Sequence, residues 1–425
     1  MRLGVTRLTR PERWQRLSRE LWQRRLPHGL LSPRYLWPGQ DRRIRAHRAL
    51  WWRAGVRWPR PLWLLLQLAL YLRWLCVSGP WLSLRAWRRW RAEEPDRYPP
   101  RSLWVLLRLT LGWCIPPHAC QQFDLLARPG QALDYVYDHE LPAYHAARSA
   151  PLGRTREQAQ CLQDKVVLTE TLAALGIPMA PILRHIPRDA PNIPFATLMP
   201  EAAPVFCKTR SGNQGRGAFA AWPTAHGWAG KTFSGQRLVD TQAVEAAWQA
   251  LRTLDNVLIQ PRLDNHPLLA RLTESPDAIT VRYITRWRGE QIDCLQCVLE
   301  VPLGADAEGD PTRYGILPID PGTGVIQPWP FPARLPQRAR VACQCLFGLS
   351  REHPALPDWP SLIDSSHRAQ AQFRGIWAIA WDWVLTADGP TLLEGNVGWG
   401  AAVPQQLQGG WLVRNTEEAP ADCAK

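Results

Sequence analysis

Lysine is nearly missing from this chain: of 51 basic residues only four are lysine, Lys165, Lys208, Lys231 and Lys425. Arginine serves wherever positive charge alone is enough. A retained lysine therefore draws attention, because a compact ammonium and a planar guanidinium fork are not interchangeable at a tight site. Lys425 is the last residue and Lys231 lies in a Gly/Ser-rich stretch, so both read as incidental. Lys165 opens a helix-like segment, and Lys208 ends an apolar strand that runs straight into a Gly-rich loop. Those two positions point to a nucleotide phosphate site.

Other absences narrow the class. Residues 1–20 lack the apolar core of a secretory signal. The ten cysteines form no small-domain framework. Cys294/Cys297 and Cys343/Cys345 are the only close pairs; the second has the wrong spacing for a zinc knuckle, and no histidine flanks either. Buried free thiols in a reducing cytosol are the expectation, hence a cytoplasmic protein. No internal repeat or long low-complexity stretch is visible, and G-x-x-x-x-G-K-[ST] does not occur.

Acidic charge is scarce in one part only. Residues 1–100 hold 22 arginines, no lysine and six acids, a net charge of +16, whereas the remainder carries 29 basic and 31 acidic residues. The long part thus reads as an ordinary near-neutral globular protein, and 425 residues suggest about two to three domains. Within the basic part, Pro61–Leu72 is an apolar run, interrupted at Arg73 and again at Gly79-Pro80. A spanning helix needs ~20 apolar residues, so the run is expected to be broken there. Flanking Arg and Trp suit an interfacial anchor at the inner face of a membrane. Packing of the Leu face on the protein body and a true span stay open beside it. The Leu-rich runs argue against nucleic acid as the partner.

Beyond residue 158 the texture alternates. Asp164–Leu175 has helical periodicity ended by Gly176, and 243–254 is a second helix. Strands are expected over 204–208, 256–260, 279–285 and 291–300, with a hairpin from 376–386 to 391–394 around Asp388-Gly389. The pattern is α+β, with an antiparallel sheet late in the chain.

Four constellations carry possible chemistry. The loop Lys208-Thr-Arg-Ser-Gly-Asn-Gln-Gly-Arg-Gly217 has glycines that let backbone N–H groups turn toward an anion; the bland alternative is a surface turn. Asp382 lies on an apolar strand, where a carboxylate is costly unless paired or bound to a metal. Glu394 ends the partner strand and Asn396 lies two residues on, and the three together offer hard oxygen ligands suited to Mg2+. Arg282, on another apolar strand, pairs a carboxylate or steadies a transferring phosphoryl group. Finally, Leu258-Ile-Gln260-Pro ends a strand on a polar residue, as a hinge against an adenine edge would.

In this order the elements resemble the ATP-grasp superfamily, and most closely its sugar-transfer-associated family. Asn265-His-Pro267, Thr280-Val-Arg282, Asp320-Pro-Gly-Thr-Gly324 and the stretch Trp381-Asp-Trp through Glu394-Gly-Asn396 extend the likeness over roughly residues 105–405. The resemblance implies an ATP-grasp fold with an Arg/Trp-rich, mainly helical extension over 1–100. The ATP-grasp region would be 101–405, with lead-in helices at 101–160, a lid subdomain at about 161–260 and a catalytic subdomain at about 261–405; a tail follows over 406–425. It implies that Lys165 and Lys208 contact ATP phosphates, that Ser211, Gly212, Gly215 and Gly217 close over them, and that Ile259 and Gln260 form the adenine hinge. His266 would touch the ribose, Arg282 would steady the γ-phosphoryl, and Asp382, Glu394 and Asn396 would hold Mg2+ or Mn2+. The implied activity is an ATP-dependent ligase that makes an acyl phosphate from a carboxylate for attack by an amine or similar nucleophile, in polysaccharide or cell-envelope biosynthesis. A non-catalytic ATP-binding module and a phosphotransferase are the alternatives. The family's Asp-Asn and Gly-Gly pattern after the arginine is missing, and 303–310 reads as a variable loop.

Overall fold

The computed structural model describes residues 32–36, 39, 41–54, 59–199, 203–211, 215, 217–273, 277–303, 314–352 and 354–414. The chain divides into two compact units. One comprises Met1–Pro151, Pro330–Arg340 and Gly400–Lys425, and the other Leu152–Trp329 and Val341–Trp399. The division falls at other places than the sequence suggested. The lead-in helices up to 151 share a unit with the basic segment, and so do the described residues of the supposed tail.

The α+β unit is built on two sheets. Strands β1 (Arg184–Ile186), β2 (Val205–Thr209), β3 (Phe219–Thr224), β4 (Gly227–Thr232), β5 (Arg237–Leu238) and β6 (Val257–Pro261) form the first, in the order β1-β6-β2-β3-β4-β5. Strands β7 (Thr280–Arg288), β8 (Gln291–Pro302), β9 (Tyr314–Pro318), β10 (Ala378–Thr386) and β11 (Gly389–Asn396) form the second, in the order β11-β10-β7-β8-β9. Neighbouring strands in both sheets run antiparallel.

Period-two alternation decides which face of the first sheet carries chemistry. Val205, Cys207, Val257 and Ile259 turn to one side, where they pack on Val244, Trp248 and Leu251 of the Thr241–Leu254 helix. Asp240 starts that helix by accepting a hydrogen bond from the Ala243 N–H at 2.8 Å. Phe206, Lys208, Leu258 and Gln260 are left on the opposite side, since Phe206 pairs with Gln260 and Lys208 with Leu258 across the strands. β3 and β4 escaped the sequence reading because Ala, Gly, Thr and Pro dominate them; their pairing with each other and with β2 holds them extended.

The other unit is helical in its described residues. The helical stretch Arg60–Glu93 is continuous over 34 residues, which corrects the expected breaks at Arg73 and Gly79-Pro80. A π-helical turn at Trp74–Ser78 explains the continuity. Pro80 has no N–H and its ring crowds the carbonyl four residues back. Widening the turn before it, with the Gly79 N–H reaching back to the Trp74 carbonyl, removes that conflict without ending the helix. Nearby, His47 and Glu140 form a buried pair, Nδ1 to Oε1 at 2.6 Å. Burial alone would push the imidazole pKa down; the Glu140 carboxylate and the Leu133 carbonyl override it and hold it above the usual value.

Candidate active site

Lys165 is the first residue of the Lys165–Ala173 helix, and its place is set by the residue before it. Asp164 caps the helix, Oδ1 accepting from the Val166 N–H at 3.1 Å and the Val167 N–H at 3.3 Å. The same carboxylate takes a two-pronged contact from Arg210, Nε to Oδ1 at 2.8 Å and Nη2 to Oδ2 at 2.6 Å. The helix start is thereby tied to the end of β2, the strand that carries Lys208. Lys165 Nζ then reaches to 4.0 Å from Glu394 Oε2 of the second sheet.

On the second sheet, register brings four charged residues together. Arg282 of β7 lies directly across from Asp382 of β10, and Asp382 directly across from Glu394 of β11. The Glu394 placement depends on a bulge. Trp383 pairs with Leu392 and Asp382 with Glu394, so Leu393 has no partner and the alternation flips by one residue. Without that extra residue Glu394 would share a face with Leu392 and point away from Asp382. Arg282 grips Asp382 with Nε to Oδ1 at 2.8 Å and Nη2 to Oδ2 at 3.1 Å. Its remaining nitrogen, Nη1, lies 2.9 Å from Glu300 Oε1 on β8.

Burial dominates the titration of this cluster. It pushes Lys208 down to about 8, against the pull of Glu394 and with help from Lys165. It lowers Lys165 as well, opposed by Glu394. Asp382 and Glu300 are raised by burial, opposed in both cases by Arg282. Burial alone would lower Arg282, but Asp382 and Glu300 outweigh it, so the guanidinium stays firmly charged. Cations and carboxylates balance each other at close range, the condition under which buried charge is tolerated.

Asn396 joins the two carboxylates. Its Nδ2 donates to Asp382 Oδ2 at 3.0 Å and to Glu394 Oε1 at 3.1 Å. The amide is thus within reach of both, and turning it over sets its oxygen beside theirs. With the amide turned over, the Asp382 and Glu394 carboxylates and the Asn396 oxygen would make a hard oxygen set of the kind that suits a divalent cation such as Mg2+.

The remaining expected residues are spread more widely. Gly212 lies outside the described residues. The Ser211 N–H donates to Asp255 Oδ2 at 2.9 Å. Gly215 and Gly217 have φ of +60° and +75°, and a Cβ at Gly215 would stand 2.2 Å from the Phe233 ring, so a side chain there would strain the backbone and displace that ring. Ile259 points its side chain into the first sheet's core, and its carbonyl accepts from the Leu183 N–H at 2.8 Å. Gln260 shares the Lys208 face, with Nε2 donating to the Ala180 carbonyl at 2.8 Å. His266 caps a short helix, Nδ1 accepting from the Leu268 N–H at 3.2 Å.

Two residues of this arrangement, Glu300 and Asp164, are not among those the sequence singles out. Glu300 lies inside β8 among Val298, Leu299 and Val301, an acid in an apolar run that could have marked it. Asp164 stands at the head of a helical stretch, and nothing in the sequence marks its grip on Arg210. Lys231 forms a 2.6 Å ion pair with Asp277, so it has a structural partner of its own.

The sequence matches the family described as sugar-transfer associated ATP-grasp over residues 148–418, well over half of the chain, and the chain belongs to that family. The match starts later than the resemblance drawn above and leaves residues 105–147 outside it. No curated protein matches the chain. Similar solved structures include N5-carboxyaminoimidazole synthase from Aspergillus clavatus, 13% identical with a TM-score of 0.33 over 62% of this chain and 51% of that one. D-alanyl-alanine synthetase A from Vibrio cholerae is 10% identical with a TM-score of 0.34 over 64% of this chain and 65% of that one. D-cycloserine synthetase DcsG is 14% identical with a TM-score of 0.32 over 60% of this chain and 68% of that one. The chain thus spans about half the length of the first of these.

Proposed function

We propose that the protein is an ATP- and Mg2+-dependent ligase that activates a carboxylate as an acyl phosphate for attack by an amine or similar nucleophile. The reading rests above all on the convergence of Lys165 and Lys208 with Arg282 and the Asp382/Glu394/Asn396 group. Two ammonium groups and a guanidinium face a hard oxygen set, the charge pattern that a nucleoside triphosphate and its cation require. Lys165 and Lys208 bind phosphate oxygens, and the backbone near Ser211, Gly215 and Gly217 covers them and excludes water. Asp382, Glu394 and Asn396 would hold Mg2+, which neutralises phosphate charge when bound. A substrate carboxylate oxygen attacks the γ-phosphorus, the bond to the β-phosphate oxygen breaks, and ADP leaves. Arg282 stays charged throughout and stabilises the transferring group. The amine nitrogen then attacks the acyl carbon, releasing phosphate and losing a proton to form the amide. The family's link to sugar transfer supports a place in polysaccharide or cell-envelope assembly, with the reaction on the cytoplasmic side where ATP is supplied.

An ADP-release screen against carboxylate and amine pairs, with mass detection of products, tests this reading. Amide, ADP and phosphate together are expected. A phosphorylated hydroxyl without free phosphate would reassign the protein as a phosphotransferase, and nucleotide binding without ADP release would make it a binding module. Lys208→Ala and Glu394→Ala should each lower turnover about a hundredfold or more with the fold intact; wild-type turnover in either removes the site assignment.

A further inference from the structure

The Arg60–Glu93 stretch is long and apolar enough to cross a bilayer by length and composition, yet its two faces differ. Trp63, Leu66, Leu70 and Trp74 turn inward and pack with Tyr35, Trp51, Cys114 and Leu133. Leu62, Leu65, Leu68, Leu72 and Leu75 recur every three or four residues on the opposite side and are 53%, 63%, 55%, 50% and 36% exposed. From Leu62 to Leu75 this set runs about 20 Å, and exposed Val77, Trp81 and Leu84 continue the apolar surface toward the arginine-rich end of the helix. A helix with one face committed to protein and an exposed apolar face on the other suits a position in the plane of a membrane surface, because a span would set the committed face and its protein partners in the hydrocarbon as well.

Charge selects the occupant. This stretch and the neighbouring Pro100–Gly112 helix together carry eight arginines and one acid, Glu93. Arg85, Arg88, Arg89, Arg91, Arg101 and Arg108 are exposed. A second copy meeting this face with the same face would set arginine against arginine with Glu93 of each copy, already beside Arg89, as the one opposing charge. An anionic bilayer supplies the counter-charge and the apolar phase at once. Exposed Trp81 and Trp104 are the side chains favoured at the headgroup level.

We propose that the Leu62–Leu75 stripe docks the protein in the plane of an anionic lipid surface, with the surrounding arginines on lipid phosphates. Sedimentation of the full chain with vesicles tests it. Binding is expected with phosphatidylcholine/phosphatidylglycerol vesicles, weakening as salt rises, and little with phosphatidylcholine alone. The triple variant Leu65→Gln, Leu68→Gln, Leu72→Gln alters only exposed positions, and its partition into anionic vesicles should fall about tenfold or more. No pelleting of the unaltered chain, equal pelleting with both lipids, or unchanged pelleting of a folded triple variant would each overturn the proposal. So would self-association that the triple variant abolishes in the absence of vesicle binding, since a second copy would then be the occupant.

Discussion

Lys208 shows how a single side chain acquires its character from its surroundings. It stands on the polar side of β2 because Val205 and Cys207 claim the core, and burial there pushes its pKa down to about 8. The ammonium is therefore cationic below about pH 8 and neutral above it. Phosphate affinity should follow the cation, so nucleotide binding is expected to weaken as pH rises through about 8. Lys208→Arg, which keeps its charge throughout, should flatten that limb. Titration of ATP affinity by calorimetry between neutral and alkaline pH checks it; a limb that persists in the arginine variant assigns the effect to another group. The two meaningful lysines were legible in the sequence through scarcity and position. Their convergence with Glu394 was not, because it depends on the Asp164–Arg210 tie and on strand register.

The β10–β11 ladder does what neither strand does alone. Its bulge at Leu393 turns Glu394 toward Asp382, and Trp381 lies across from Gly395 one position further along. A Cβ at Gly395 would meet the Trp381 ring at 2.5 Å. Gly395→Ala should thus destabilise the protein by about 1–3 kcal/mol through overpacking, read as a lower urea midpoint at unchanged slope. A neutral result would show that the indole has room to move. The hairpin itself was evident from Asp388-Gly389 and its apolar flanks. The bulge was not, since strict alternation leaves no mark of an extra residue. The continuous Arg60–Glu93 stretch teaches the converse: Gly-Pro is a strong breaker by local rules, and one widened turn was enough to absorb it.

Across the chain, the helical unit assembles segments far apart in sequence. The Gln405 amide brackets Val136, Oε1 accepting from its N–H and Nε2 donating to its carbonyl, both at 2.8 Å. Arg97 likewise reaches the Leu335 carbonyl at 2.7 Å. The Gly79–Glu93 and Pro100–Gly112 helices share a core through Trp90, Tyr98, Leu106 and Leu109, and Trp87 Nε1 donates to Ser102 Oγ at 3.1 Å. A chain started at Arg101 would lose Trp90 and Tyr98 and uncover Leu106 and Leu109. It is expected to aggregate, eluting in the void volume on size exclusion while the full chain does not; a monodisperse truncated chain would show that the core closes without them.

Composition, period and motif order were enough to reach the α+β class, the ATP-grasp family and most of the charged residues, because these are properties of local sequence. Glu300 behind Arg282, the flip at Leu393 and the union of residues 1–151 with 330–340 and 400–425 came only with the folded chain. Each depends on which distant segments lie side by side, and long-range pairing leaves no local trace in the residues that make it.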